Sequence, residues 1–199
     1  AVDERELEKA GGSVIGRYWY RYLRGLETEE AATVRRSIGH QHVLAPSLRN
    51  MESSRAVTIR LLHKAAARAR HLGYWAKRLA LHVKYVDGRS FHDDATFHET
   101  NDTLSLVQVL TKLWAKLPGG QPLRVGVTLE DLAGSASATL ALFPEDHKRE
   151  RLSRTMDAIN QKMGRDAVYL GVTQQVRDEA PTRIAFNHIP DLNLPETSD

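Results

Sequence analysis

Hydrophobic spacing separates strand-like from helix-like segments along the middle of the chain. Leu79, Leu81, Val83 and Tyr85 alternate with Arg78, Ala80, His82 and Lys84, and Leu123, Val125, Val127 and Leu129 alternate with Arg124, Gly126, Thr128 and Glu130. A period of two puts each apolar set on one side of a strand, so each strand has one buried and one open face. Ala56, Ile59, Leu62, Ala66 and Ala69 recur at helical spacing in a segment introduced by Pro46 and Ser47 and ended by Gly73. A second helix places Leu106, Val109 or Leu110, Leu113 and Leu117 inward, with Asp102 as its N-cap and Pro118-Gly119-Gly120 as its stop. Asp87-Gly88 marks a hairpin turn, after which 89–100 returns as an antiparallel strand. A β-prone run over 34–44 precedes them all and stops at Pro46.

The order strand, helix, strand, strand, helix, strand predicts an α+β fold. Two right-handed split β-α-β units of this kind close a four-stranded antiparallel sheet with both helices on one face. On either side lie shorter segments. Residues 1–9 are charged and helix-prone, Gly11-Gly12-Ser13 interrupts them, and 14–26 forms an amphipathic helix with Ile15, Tyr18, Tyr22 and Leu26 in its stripe. Residues 27–33 read as a tether. After 134 comes a run of small residues ending in Leu140, Leu142 and Phe143, then a helix from Pro144 with Leu152, Met156, Ile159 and Met163 as its stripe and Gly164 as its stop. The expected organisation is therefore 1–33, 34–134 and 135–199, with a disordered end over 192–199.

Charge changes this picture by singling out the middle. The formal net charge is only +3, but residues 34–134 carry 15 basic against 8 acidic side chains, while each flank is net negative by two. A basic domain between acidic flanks suits a polyanionic partner for the middle alone. Seven of the nine histidines also fall there. The absence of cysteine excludes disulfides and thiolate chemistry. No apolar run approaches a membrane span and no signal-peptide pattern opens the chain, so no membrane partner is expected.

Candidate chemistry follows from the open face. It would display Arg78, His82, Lys84 and Arg124, with Ala80, Gly126 and Thr128 between them. A bare sheet with positive charge and little bulk can contact phosphates on both rims of a groove, and without aromatic pairs it is poorly suited to stacking single-stranded bases. The opening strand adds Arg35, Arg36, Ser37, Gly39 and His40, in which Gly39 would let a phosphate backbone approach the strand closely. A rival reading gathers His40, His42, His92, Asp93, Asp94 and His98 into a metal shell, without any strict zinc spacing. Another is a ferredoxin-like interaction module that does not bind DNA.

The run Arg-Arg-Ser-Ile-Gly-His at 35–40, with the elements after it, resembles the opening of the little-finger domain of Y-family (DinB/UmuC-like) translesion DNA polymerases. Gly-Arg-Tyr-Trp-Tyr-Arg-Tyr-Leu-Arg-Gly at 16–25 is similar to the end of the thumb in the same enzymes. The resemblance implies a chain covering thumb end, little finger and C-terminal extension, which grips duplex primer-template DNA through its backbone. It carries Arg36, Ser37, Gly39, His40, Arg89, Ser90 and Arg124 over as DNA contacts. Thr139, Leu140, Leu142 and Phe143 lie where relatives carry a sliding-clamp-binding pentapeptide, with Thr139 in place of the usual Gln. Packing of the same residues on the finger is the alternative. The family's palm motifs are absent, so the resemblance implies no catalytic or metal residues in this chain and places Mg2+ at a palm elsewhere in the parent enzyme. It further implies a bacterial cytoplasmic, nucleoid-associated setting in DNA repair and the SOS response.

Overall fold

The computed structural model of the protein describes residues 3–11, 14–26, 36–134, 144–164 and 166–179. The chain divides into two compact units, Ala1–Arg35 and Arg36–Asp199.

In the first unit α1 (Glu4–Ala10) begins with a capping box between Asp3 and Glu6 and packs on α2 (Val14–Tyr22). The helices meet at Gly16, where a Cβ would collide with the Leu7 carbonyl oxygen, so only glycine allows the approach. Arg17 ties the pair by salt bridges to Glu4 and Glu8. α2 stops at Tyr22, short of the expected Leu26, and its apolar residues Ile15, Trp19 and Tyr22 are exposed.

The second unit contains the expected sheet. β1 (Ser37–Val43), β2 (Tyr74–Tyr85), β3 (Ser90–Thr100) and β4 (Pro122–Glu130) are arranged in the order β1-β4-β2-β3, every neighbouring pair antiparallel. β1 and β2 are thus parallel across β4, and β3 and β4 parallel across β2, as two split β-α-β units require. A fifth strand of two residues, β5 (Ala133–Gly134), adds to the start of β2.

The helices α3 (Met51–His71) and α4 (Thr103–Trp114) both cover the face bearing Leu79, Leu81, Val83, Tyr85, Val125, Val127 and Leu129, all essentially buried. α4 is capped by Asp102, whose carboxylate accepts from the Ser105 N–H at 2.9 Å. α3 starts later than Pro46-Ser47 suggests. Those residues form a 3-10 turn, and Asn50 caps the helix by accepting from the Ser53 N–H. Proline fixes the entry angle, but the side chain that satisfies the free N–H groups sets the first turn.

α3 also departs from a simple amphipathic helix. Besides the expected stripe, Val57, Thr58, Arg60, Leu61 and Ala65 are buried. Its neighbours account for this: α4 lies beside it, α5 (Pro144–Met163) packs on α4 and α3, and the 3-10 turn Gly171–Val176 packs on α3. Two arginines off the apolar stripe of α3 are held by the C-terminal segment. Arg60 donates to Asp166 at 2.7 Å and to the Glu179 carbonyl at 2.9 Å. Arg70 makes a two-point contact with Asp157 at 2.6 and 2.9 Å and also donates to the Asn101 carbonyl. The apolar stripe expected of α5 fails likewise, since Leu152 and Met163 are exposed and only Met156 of that set is buried. α5 is seated by charge and by Ser153, which accepts from the Thr103 N–H, more than by apolar area.

Candidate nucleic-acid interface

The strand register lays out the open face in four rows. Starting at the β2–β3 hairpin end, each row runs from β1 through β4 and β2 to β3. The first is Val43, Arg124, Lys84 and Ser90; the second is Gln41, Gly126, His82 and His92. The third is Gly39, Thr128, Ala80 and Asp94; the fourth is Ser37, Glu130, Arg78 and Thr96. First and fourth rows lie six residues apart along each strand, roughly 20 Å. No Phe, Tyr or Trp stands in any row, because the aromatic residues of β3, Phe91 and Phe97, project toward the helices.

Charge on this face is polarised. Arg124 is exposed, and its side chain makes no hydrogen bond or salt bridge among the described residues. Lys84, its neighbour across the ladder, donates to the Gly88 carbonyl at 2.7 Å and keeps its charge at the same end. The opposite end is acidic. There Arg78 is engaged by Asp131 at 3.0 Å and lies 4.0 Å from Asp94, with Glu130 beside it. Arg78 therefore stands on the expected face but with its charge already compensated.

Arg89 is also engaged. It forms a salt bridge to Asp87 within the turn, lies over the Tyr85 ring at 5.0 Å and donates to the Gly119 carbonyl. That pairing holds the Asp87 carboxyl below its usual range, chiefly through hydrogen bonds from Arg89. Ser90 is exposed beside Lys84. Arg36 and Ser37 are exposed at the start of β1, while Arg35 lies outside the described residues.

Gly39 and His40 behave differently from their common motif. A Cβ on Gly39 would approach Thr128 Oγ1 to 2.8 Å and the Val127 carbonyl to 2.9 Å, so the adjoining strand itself demands glycine here. His40 is one residue on, and the period of two turns it to the helix side opposite Val127. Burial, then the charges of Lys64 and Arg68, lower its pKa to about 4. His40 is thus a neutral residue beneath α3 and does not share the open face with Ser37 and Gly39.

Sequence reasoning set His92 only in the rival metal shell. It stands directly opposite His82, with Nδ1 atoms 3.0 Å apart and rings stacked at 4.4 Å between centroids. The register depends on the turn. Tyr85 and Arg89 close a three-residue loop, Val86 to Gly88, with Gly88 at φ +91°. A two-residue turn at Asp87-Gly88 would have set Asp93 against His82 instead.

The rival metal shell is not assembled. His40 and His42 belong to β1 and His92, Asp93, Asp94 and His98 to β3, strands at opposite edges of the order β1-β4-β2-β3. Among the described residues no group of three or more His, Asp or Glu side chains could hold a metal ion. Thr139, Leu140, Leu142 and Phe143 lie outside the described residues.

Residues 35–142, more than half of the chain, match the family model described as the impB/mucB/samB family C-terminal domain. The chain belongs to the impB/mucB/samB family. The match includes all of the sheet and both helices that pack on it, in agreement with the resemblance to Y-family polymerases. A Bacillus subtilis (strain 168) relative, UvrX, whose name proposes a part in UV-damage repair, is 27% identical over 177 residues. That alignment takes in 84% of this chain but 42% of UvrX, so the chain spans less than half the length of that relative. Two solved structures are more distant. A Y-family DNA polymerase chimera shares 17% identity over 65% of this chain and 38% of its own, with a TM-score of 0.41. The little finger domain of PolIV, solved with a beta-clamp processivity factor, shares 18% identity over 53% of this chain and 97% of its own, with a TM-score of 0.40.

Proposed function

We propose that this chain is the duplex-gripping portion of a translesion DNA polymerase and that the open sheet face lies against the DNA backbone. The observation that carries the reading is the row Arg124–Lys84–Ser90, set on a face whose rows bear no helix and no Phe, Tyr or Trp. Such a row offers cations and a hydroxyl in a line, as successive phosphates require, and offers little that reads base edges. Family membership and the repair role proposed in the name of UvrX support the same reading. Polymerisation would depend on Mg2+ and carboxylates of a palm region, and the role of 36–134 would be to hold the primer-template in place for them.

With Arg78 and Arg89 engaged within the protein, the contacts reduce to Arg36, Lys84, Arg124 and their neighbours. About three to four phosphate contacts correspond to a log-log salt slope of roughly −3. The test is anisotropy with several unrelated duplexes over a salt series. Arg36→Glu with Arg124→Glu should weaken all of them alike and flatten the slope. Salt-independent binding, or strong preference for one base sequence, would overturn the backbone-grip reading.

We further propose that residues 139–143 engage a sliding clamp, with Leu142 and Phe143 as anchors in an apolar groove. The sequence supports this, since Leu140, Leu142 and Phe143 offer large apolar side chains within a short run.

A further inference from the structure

The stacked histidines are the one feature of the open face that the phosphate-grip reading leaves without a role. His82 and His92 occupy the second row, next to the cations Arg124 and Lys84. Both are exposed, so the pair faces the side on which DNA is proposed to lie. A contact of 3.0 Å between two Nδ1 atoms requires that at least one carry hydrogen, since two lone pairs at that distance repel. Two imidazolium ions stacked at 4.4 Å would repel as well, so the pair is suited to holding one proton.

We infer that docking of a phosphate at Arg124 and Lys84 is coupled to uptake of one proton by the stacked His82–His92 pair, so that the interface grips a polyanion more tightly as pH falls. This rests on the duplex-binding reading above and adds its regulation.

The groups facing the pair are few. β2 contributes Arg78 and Lys84, β3 contributes Asp94, and β4 contributes Arg124 and Glu130. β1 contributes no titratable side chain on this face, only Ser37, Gly39, Gln41 and Val43. Burial lowers the pKa of His82, and so do His92 and Arg124, against an opposing pull from Glu130. A phosphate at Arg124 neutralises one of the charges that keep the proton away and brings a negative charge of its own. The histidine proton is then bound more tightly in the complex than in the free protein. Linkage fixes the sign: affinity gained by protonation is complete below the free-protein pKa and is lost as pH rises through that of the complex.

The experiment is anisotropy of the whole chain with a mixed-sequence duplex of about 15 base pairs, from about pH 8 to about pH 5.5, at two salt concentrations with a chelator present. The wild type should tighten on acidification, by up to about tenfold per pH unit within the window, and its log-log salt slope should steepen by about one. His82→Gln with His92→Gln should lose the pH dependence, binding as tightly at about pH 8 as at about pH 5.5. Circular dichroism at the acid limit confirms that the sheet is intact. Binding that is salt-dependent but flat in pH would overturn the linkage and leave the backbone grip standing. A double variant that still tightens fully on acidification would overturn the assignment to this pair. Absence of salt-dependent duplex binding at every pH would overturn both readings.

Discussion

His40 shows how far a single side chain can depart from the motif that contains it. Arg-Arg-Ser-Ile-Gly-His reads as one anion-facing unit, but β pleating sends Ile38 and His40 under the helices and leaves Ser37 and Gly39 outside. The consequence is a buried imidazole with a pKa near 4 in place of the ordinary 6.5. Between those two values the unfolded chain binds a proton that the folded one does not, so stability contributed by His40 is complete above pH 6.5 and lost as pH falls toward 4. The shift corresponds to about 3 kcal/mol. Urea denaturation at pH values spanning the window should show the wild type weakening on acidification and His40→Gln weakening much less. His63 is lowered too, mainly by burial, and adds to the loss in the same direction, so some acid sensitivity should survive in the variant.

Among elements, the strands were legible and the helix layer only partly so. The alternation over 78–85 and 123–130 identifies the residues those stretches place on the open face, because a half-buried strand repeats its environment every second residue, whereas the start of β2 breaks the pattern at the irregularity between Ala76 and Arg78. Register across the hairpin was not legible, since it depends on whether the loop holds two residues or three. The fate of α3 was not legible either. Arg60 and Arg70 look like solvated surface until Asp166 and Asp157 arrive from about a hundred positions downstream. The Arg70–Asp157 pair can be tested as a unit. Arg70→Ala removes a guanidinium that is 4% exposed and strands both the carboxylate and the Asn101 carbonyl, for an expected cost of about 3 kcal/mol. Replacing both partners, Arg70→Met with Asp157→Leu, should recover much of that in chemical denaturation, because no unpaired charge is then left behind. Equal losses in the single and double variants would show that the pair does not seat α5.

At the scale of the whole molecule, residues 36–179 combine a basic open face on one side of the sheet with a charge-seated C-terminal segment over the helices on the other. The proposed clamp peptide has two possible fates, and one pair of substitutions separates them. If Leu142 and Phe143 serve a partner, Leu142→Ala with Phe143→Ala should abolish clamp binding and leave the melting temperature nearly unchanged. If they pack on the finger, the same pair should cost several kcal/mol, since truncating a buried Leu or Phe costs ~2 to 5 kcal/mol each. Thr139→Gln should tighten a genuine clamp contact by about 1 kcal/mol, the gain from one added hydrogen bond. Titration calorimetry with the clamp and a thermal melt of each variant together decide between the fates.

The ion pairs of Arg60 and Arg70 also bear on how this domain can be inherited or recombined. A sheet-and-two-helix unit ending at Gly134 looks portable, the kind of module that gene fusion moves intact between polymerases. In this chain such a cut would take Asp157, Asp166 and the Glu179 carbonyl from two guanidinium groups and strip the core of its cover at Val176. Any viable chimera must therefore bring 144–179 along with the finger, or replace both arginines at the same step. Lineages that exchange the finger alone should carry apolar or small residues at positions 60 and 70.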